Sequence, residues 1–121
     1  MKASEIIEKA KELRPNPYSD AMLIDFINEL NMQAQEEIHA IKAADMIIIT
    51  TDNLDTQELV IPMPYGEACY LYYLLAKVAY FEQEFDLYNN DVEQFNENYT
   101  KYFKTYRQAT LNKFTDYKYR L

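Results

Sequence analysis

The most constraining feature of this chain is a regular spacing of apolar and aromatic residues in its C-terminal third. They recur at alternating intervals of four and three residues, at Tyr88, Val92, Phe95, Tyr99, Tyr102, Tyr106 and Ala109. Such intervals place side chains on one face of an α-helix, which has about 3.6 residues per turn. Lys101 and Lys104 fall off that face. The spacing therefore predicts a long amphipathic helix.

A second aromatic segment precedes this helix. The run from Tyr70 to Phe81, YLYYLLAKVAYF, contains a single charged residue. We predict a helix that starts at about Tyr65 and ends at a break near residues 85–90. Asn90, followed three residues later by Glu93, resembles a helix-capping arrangement, and asparagine favours caps over helix interiors.

The two aromatic helices are expected to pack against each other as an antiparallel pair. Both carry an apolar stripe, and the break predicted between them is short. Aromatic residues at helical spacing are typical of a protein core, whereas a base-stacking platform also needs interleaved arginine and lysine. The residues predicted to form this core are Leu71, Leu75, Val78, Phe81, Phe95, Tyr99 and Tyr102.

Shorter elements are expected in the N-terminal half. Ser4 and Ser19 are the expected N-caps of two amphipathic helices, which extend to about Leu13 and His39. At about residues 45–62, two apolar, β-branched runs flank an acidic, turn-like segment, so we predict a short β-hairpin. The expected fold is mainly α, a small helical bundle with two long C-terminal aromatic-rich helices and this hairpin as an insertion.

Charged residues are distributed unevenly along the chain. Residues 1–100 hold six lysines and arginines against 19 acidic residues, whereas residues 101–121 hold six against one. An acidic body repels the phosphate backbone of nucleic acids. The basic end could bind nucleic acid, dock on an acidic protein surface, or complement the negative end of a preceding helix. We expect one helical domain over residues 1–111 and a basic, aromatic C-terminal arm over residues 112–121.

Catalytic and cofactor motifs are absent from the sequence. The single glycine, Gly66, excludes the glycine-rich loops that cradle phosphates. Glu36 and His39 have the Glu-x-x-His spacing of di-iron bundles, but such sites need a second pair and His39 is the only histidine. A partly buried histidine near a helix end is the better interpretation. We expect no enzyme activity, no metal and no cofactor.

Neither a secretory signal nor a membrane segment is expected. The N-terminal stretch carries charges throughout, and the run from Tyr70 to Phe81 is shorter than the roughly 20 residues that span a bilayer. Cys69 lies among apolar residues and is expected to be a small buried side chain. Synthesis in the cytoplasm follows as the expectation. Twelve tyrosines without tryptophan favour surfaces that become covered in an assembly, because a tyrosine can bury its ring while its hydroxyl reaches a partner.

Five short motifs in the second half resemble the head-tail connector proteins of tailed phages, also called head completion or adaptor proteins. In that family a Pro-Tyr entry leads into a helix with a Tyr-Tyr-Leu core, followed by an acidic-aromatic turn, Tyr-Asn-Asn and a Phe-Asn-x-x-Tyr helix. The matching residues here are Pro64-Tyr65, Tyr72-Tyr73-Leu74, Glu84-Phe85, Tyr88-Asn89-Asn90 and Phe95-Asn96-x-x-Tyr99. The resemblance covers about residues 60–107, and Gly66 after Tyr65 departs from it.

The resemblance implies a structural virion protein at the head-tail junction. Its subunits form a ring, commonly of twelve, beneath the portal protein, and a stopper or tail-completion protein binds the opposite side. DNA passes through the ring without specific binding, and an acidic lining would let it slide. The alternatives left open are a cytoplasmic helical adaptor that binds one protein partner and a nucleic-acid-binding protein that acts through the basic arm.

Two segments are expected to make the contacts of such a ring. The loop residues Asp52, Asn53 and Asp55 are predicted to face the channel or a neighbouring subunit, although an ordinary surface hairpin would look the same in sequence. The C-terminal arm combines rings with cations, which suits an interface anchor on the portal or on a neighbouring subunit, although a frayed basic end is the alternative. Its predicted interface residues are Lys113, Phe114, Tyr117, Lys118, Tyr119 and Arg120.

Overall fold

The computed structural model describes the backbone of residues 1–119 and the side chains of residues 1–109. This part of the chain forms the helices α1 (Ala3–Leu13), α2 (Asp20–Glu37), α3 (Gly66–Phe81) and α4 (Phe85–Tyr119), with a short 3-10 helix at Ala43–Asp45. The expected mainly helical fold is confirmed. None of the helices in the described residues is long and apolar enough to span a membrane.

The first two helices bury one face each against α3. The buried residues of α1 are Ala3, Ile6, Ile7 and Ala10, and those of α2 include Leu23, Ile27, Leu30 and Ala34. Ser19 caps α2 as predicted, because its side chain accepts a hydrogen bond from the backbone N–H of Met22 at 3.3 Å. Ser4 is not a cap, since α1 already begins at Ala3 and its N-cap residue is Lys2.

Helices α3 and α4 pack antiparallel. Their contacts join Tyr80 with Tyr88, Tyr73 with Phe95, and Tyr65 with Thr105. As the residue number falls along α3, the number of its partner on α4 rises, which is the signature of antiparallel helices. Among the helices of the described residues, α3 and α4 make the most extensive contact with each other.

The predicted core of this pair differs from the structure at one residue. Leu75, Val78 and Tyr102 are buried, and Leu71, Phe95 and Tyr99 are partly buried against the core. Phe81 was predicted to be core but is 50% exposed. It is the last residue of α3, and its ring stacks on that of Phe26 in α2, with centroids 5.9 Å apart, rather than packing between α3 and α4.

The chain reverses direction between α3 and α4 in three residues. Gln83 adopts the left-handed conformation (φ 59°), and the backbone N–H groups of Gln83 and Glu84 donate to the carbonyls of Tyr80 and Ala79. This is the Schellman pattern that ends many helices. The break predicted near residues 85–90, with Asn90 as a cap, is therefore wrong, because α4 has already begun at Phe85.

The predicted β-hairpin at residues 45–62 is also wrong. The described residues contain no strand, only an isolated antiparallel bridge between Lys2 and Glu58. The two β-branched runs do not pair with each other, because each finds another partner. The first bonds to side chains of α2, and in the second the N–H of Leu59 donates to the Met1 carbonyl at 3.0 Å.

Gly66 is required by a close backbone approach at the start of α3. A Cβ at this position would lie 2.3 Å from the carbonyl oxygen of Ile61, far inside van der Waals contact. The Gly66 N–H also donates to the Pro62 carbonyl at 2.8 Å. The residue that departs from the family pattern thus lets the preceding loop pack directly against the helix.

Candidate functional site

The loop between α2 and α3 is held by side-chain amides of α2. Asn28 pairs with Ile49, and Gln35 with Ile47, so that each amide accepts from the backbone N–H and donates to the C=O of its partner. The four donor-acceptor distances lie between 2.8 and 3.1 Å. A side-chain amide has the same donor and acceptor as a peptide group, so α2 supplies what a neighbouring strand would supply in a sheet.

A third amide on the same face of α2 fixes the second half of the loop. The Tyr70 hydroxyl donates to the Asn31 side-chain oxygen and accepts from the N–H of Ile61 at 3.0 Å. All three residues are buried, and burial raises the pKa of Tyr70. The amide nitrogen of Asn31 is buried without a hydrogen-bond partner.

The role of these amides in holding the loop was not predicted from the sequence. Asn28, Asn31 and Gln35 are spaced three and four apart, so they form a polar stripe beside the apolar stripe of α2. Polar residues that recur at helical spacing next to a buried face are the signal that could have identified them. The spacing of the three amides does not show which backbone groups they bond, because Ile47 and Ile49 lie on the loop and not on α2.

The predicted loop residues take different roles in the structure. The Asn53 side chain accepts from the backbone N–H of Thr50 at 2.7 Å and donates to the Ile48 carbonyl at 3.0 Å, so it shapes the turn. Asp52 and Asp55 are exposed on that turn. Of the three residues, the two carboxylates are the ones that remain available to a channel or a neighbouring molecule.

The N-terminal residues hold the far side of the turn. Lys2 bonds the exposed carboxylate of Glu58, and together with the N-terminal amine it lowers the pKa of Glu58 to about 2. The backbone N–H of Ser4 donates to the Leu54 carbonyl at 3.3 Å. The loop is thus fixed from α2 on one side and from the start of α1 on the other.

Several tyrosine hydroxyls bond carboxylates within the chain. Tyr73 donates to Glu29 at 2.8 Å and Tyr99 to Glu37 at 2.9 Å, which connects α3 and α4 to α2. Burial, assisted by these carboxylates, raises the pKa of both tyrosines. These hydroxyls already have partners, so the surfaces open to another molecule lie elsewhere.

An open aromatic groove lies between the adjoining ends of α3 and α4. It has a volume of about 550 Å³ and is lined by Tyr73, Ala76, Lys77, Tyr80, Phe81, Tyr88, Val92, Phe95 and Asn96. Of these lining residues, Tyr80 is 53% exposed and Phe81 is 50% exposed. The Lys77 ammonium lies 5.3 Å from the centre of the Tyr73 ring and 3.1 Å from a Glu29 carboxylate oxygen.

Exposed charged residues lie at the start of α4 and again further along it. Glu82 and Glu84, in the connection from α3, and Asp86, in the first turn of α4, are exposed. The Tyr18 hydroxyl donates to Glu82 at 2.8 Å, and that hydrogen bond raises the pKa of Tyr18. Further along α4, Lys104 and Arg107 are exposed. The acidic and basic surfaces of the helix are therefore separated along its length.

His39 lies beside α4, just beyond the end of α2. Its Nε2 atom is 2.8 Å from the Tyr102 hydroxyl, its ring centroid is 4.6 Å from that of Tyr106, and burial lowers the pKa of the imidazole. The Glu36 side chain is exposed. Within the described residues, no cluster of three or more His, Cys, Asp or Glu side chains could hold a metal ion.

The predicted residues of the C-terminal arm fall outside the described side chains. They are Lys113, Phe114, Tyr117, Lys118, Tyr119 and Arg120.

Comparison of the chain with protein-family models, curated proteins and solved structures finds no match. The exposed features of the described residues are the turn at Asp52 and Asp55, the aromatic groove, and the cations Lys104 and Arg107 of α4.

Proposed function

We propose that this chain is a head-tail connector subunit of a tailed phage. Copies of it form a ring beneath the portal protein, at the head-tail junction of the virion. A stopper or tail-completion protein binds the other side of the ring, and DNA leaves through its centre without specific binding. The protein is structural and has no enzymatic role.

The observation that carries this proposal is the position of the family-like motifs. Pro64-Tyr65 directly precedes α3, Tyr72-Tyr73-Leu74 lies in the middle of α3, and Glu84-Phe85 leads into α4. Tyr88-Asn89-Asn90 and Phe95-Asn96-x-x-Tyr99 follow in the first half of α4. The motifs therefore belong to one antiparallel helical unit rather than to scattered parts of the fold.

The exposed aromatic surface of the single chain supports the proposal that copies of it assemble. The aromatic groove leaves Tyr80 and Phe81 about half exposed on the single chain. Contiguous aromatic surface is typical of interaction sites, because its exposure to water is unfavourable. In a ring, each subunit has two neighbours and so needs two different contact faces.

The negative charge of the chain supports the proposal that the ring encloses a channel through which DNA slides. The chain has a net charge of −8, and residues 1–100 contribute nearly all of its acids. In the proposed ring, Asp52 and Asp55 face this channel or the adjacent subunit. Repulsion between carboxylates and DNA phosphates would keep the duplex from adhering to the wall.

The proposal is tested with a portal protein whose gene neighbours the gene for this chain. The two purified proteins are mixed and imaged by electron microscopy. We expect an additional ring, coaxial with the portal, on its tail-proximal side. A single copy bound to some other protein, with no ring on the portal, would instead favour a cytoplasmic adaptor.

The loop is tested separately in phage particles. Replacing Asp52 and Asp55 by lysine removes repulsion from DNA while Asn53 still shapes the turn, so we expect intact rings but impaired DNA passage. The matched control replaces the exposed carboxylates Asp25 and Asp45, which lie outside this turn. Particles of normal infectivity from the loop variant would reject the channel role of these two residues.

A further inference from the structure

Residues 46–51, MIIITT, have the composition of a β-strand. Five of the six are β-branched, and the segment contains no charge, no proline and no glycine. Segments of this kind pair readily with other strands, between chains as well as within one chain. Ile47 is 38% exposed and Ile48 is 53% exposed. Whether the segment pairs with another chain therefore depends on how its two backbone edges are covered.

The inner edge of this segment is held by α2. The backbone at Met46 is extended (φ −70°, ψ 140°). Ile47 and Ile49 direct their N–H and C=O groups to side-chain amides of α2. Because the backbone groups of successive residues in an extended chain alternate between its two edges, those of Met46, Ile48 and Thr50 face the opposite, outer edge.

The outer edge is covered by a single side chain, that of Asn53. Its amide nitrogen donates to the Ile48 carbonyl at 3.0 Å, and its oxygen accepts from the Thr50 N–H at 2.7 Å. The amide thus takes the positions that the backbone of a neighbouring strand would take. The Asn53 carbonyl separately accepts from the N–H groups of Thr56 and Gln57, at 3.1 and 2.9 Å, so the turn has backbone hydrogen bonds that do not need this side chain.

We infer that Asn53 shields a self-pairing edge: without its amide, residues 46–50 of one copy pair with the same residues of a second copy. The inference goes beyond the proposed function and does not depend on it. While the Asn53 amide is in place, copies of the chain meet only through other surfaces.

The backbone groups of the outer edge fit an antiparallel pair with a twofold axis at Ile48. In that register the two Ile48 residues exchange N–H···O=C bonds, and the Thr50 N–H of each copy donates to the Met46 carbonyl of the other. Two of the groups needed, the Ile48 carbonyl and the Thr50 N–H, are the two that Asn53 occupies. Because the inner edge stays on α2, the pairing ends at a dimer and does not continue into a larger sheet.

Charge is compatible with a second copy as the partner in this register. Exposed carboxylates flank the uncharged segment at Asp45 and Asp52. The twofold axis at residue 48 sets Asp45 opposite Thr51 and Asp52 opposite Ala44. Like charges directly opposite each other destabilise a strand pair, and neither carboxylate meets another one here. A second copy also supplies an uncharged segment of equal length, as a self-complementary contact requires.

The test compares Asn53→Ala with a matched control in the same turn, Thr56→Ala, whose side chain is exposed. Asn53→Leu is a second variant that keeps the side-chain size but removes the donor and the acceptor. Ile48→Lys, added to Asn53→Ala, places a charge on the exposed edge, which opposes strand pairing. Circular dichroism establishes that each variant is folded, and sedimentation velocity then measures association.

We expect both Asn53 variants to dimerise at least tenfold more tightly than the wild-type chain. Thr56→Ala should match the wild type, and the added Ile48→Lys should abolish the gain. Hydrogen exchange reports the register: in Asn53→Ala, the Ile48 and Thr50 amides should exchange more slowly as protein concentration rises. The Ile47 amide, which Gln35 of α2 holds, should not depend on concentration.

Four results would overturn the inference. The first is association of Asn53→Ala no tighter than that of the wild type, and the second is a gain that Ile48→Lys leaves in place. The third is exchange at Ile48 and Thr50 that does not depend on concentration, which would assign any dimer to another surface. The fourth is loss of the folded state in both Asn53 variants, which would mean that the side chain stabilises the turn and shields nothing. The ring on the portal is tested with the wild-type chain, so none of these results bears on the proposed function.

Discussion

Removal of the Arg14 side-chain charge should destabilise the fold more than any other single change of a charged residue. Arg14 follows α1, and its guanidinium donates to the Asp91 carboxylate at 2.5 Å and to the Leu75 carbonyl at 3.0 Å. The Asp91 side chain is 2% exposed and that of Arg14 20%. One cation thus connects the end of α1 to both α3 and α4.

The expected magnitude follows from the burial of Asp91. Arg14→Met keeps an unbranched chain but leaves a carboxylate in the core without its counter-charge, and breaking a buried pair in this way costs about 3–5 kcal/mol. Replacing both partners, with Arg14→Met and Asp91→Leu, removes the buried charge altogether. We expect the double variant to recover most of the loss, because apolar replacements of buried pairs are commonly near neutral.

Urea denaturation followed by circular dichroism measures these free energies, and it also shows whether the denaturant dependence is unchanged. Because the pair is buried, the loss should persist in high salt, where surface ion pairs are screened. A cost below about 1 kcal/mol for Arg14→Met would refute the reasoning. So would a double variant whose loss equals the sum of the two single losses, since that would mean the residues act independently.

Two further changes test how the loop is held. Gly66→Ala should cost about 1–3 kcal/mol, although alanine favours helices, because its Cβ would meet the Ile61 carbonyl oxygen; an unchanged melting temperature would contradict this close approach. Gln35→Leu should cost about 1–3 kcal/mol and speed hydrogen exchange at the Ile47 amide, which loses its acceptor, while Gln33→Leu should leave that amide protected. Equal exchange in both variants would show that the side-chain amide does not hold the loop.

The helical part of the fold could be predicted because its signals are local. The spacing from Tyr88 to Ala109 follows the period of the helix itself, and Tyr88 and Phe95 of the resulting face contact α3, whereas Ala109 at its end is exposed. Ser19 acts as a cap through the N–H of Met22, three residues away. The antiparallel order followed from a short connection between two apolar stripes, and the three residues between α3 and α4 are in fact fewer than expected.

The predictions for Asn90 and Phe81 were wrong because the structure at both residues depends on contacts between residues that are distant in sequence. Asn90 has the sequence of a cap, yet it lies inside α4 next to Asp91, which Arg14 neutralises from the other end of the chain. Phe81 has the spacing of a core residue, but it closes α3 and stacks on Phe26 of α2. Neither partner could be identified from the local pattern alone.

The loop between α2 and α3 shows why a correct local signal can predict the wrong partner. The run that contains Ile47 and Ile49 does bond through its backbone N–H and C=O groups, as a strand does, but to Gln35 and Asn28 instead of to another strand. A hairpin would have stiffened the loop by itself, whereas here its position is set by α2. The orientation of the exposed carboxylates therefore depends on two amides that lie on a different element. If the loop faces the channel of a ring, Gln35→Leu should change DNA passage without altering any charge on the loop, which separates the position of the carboxylates from their charge.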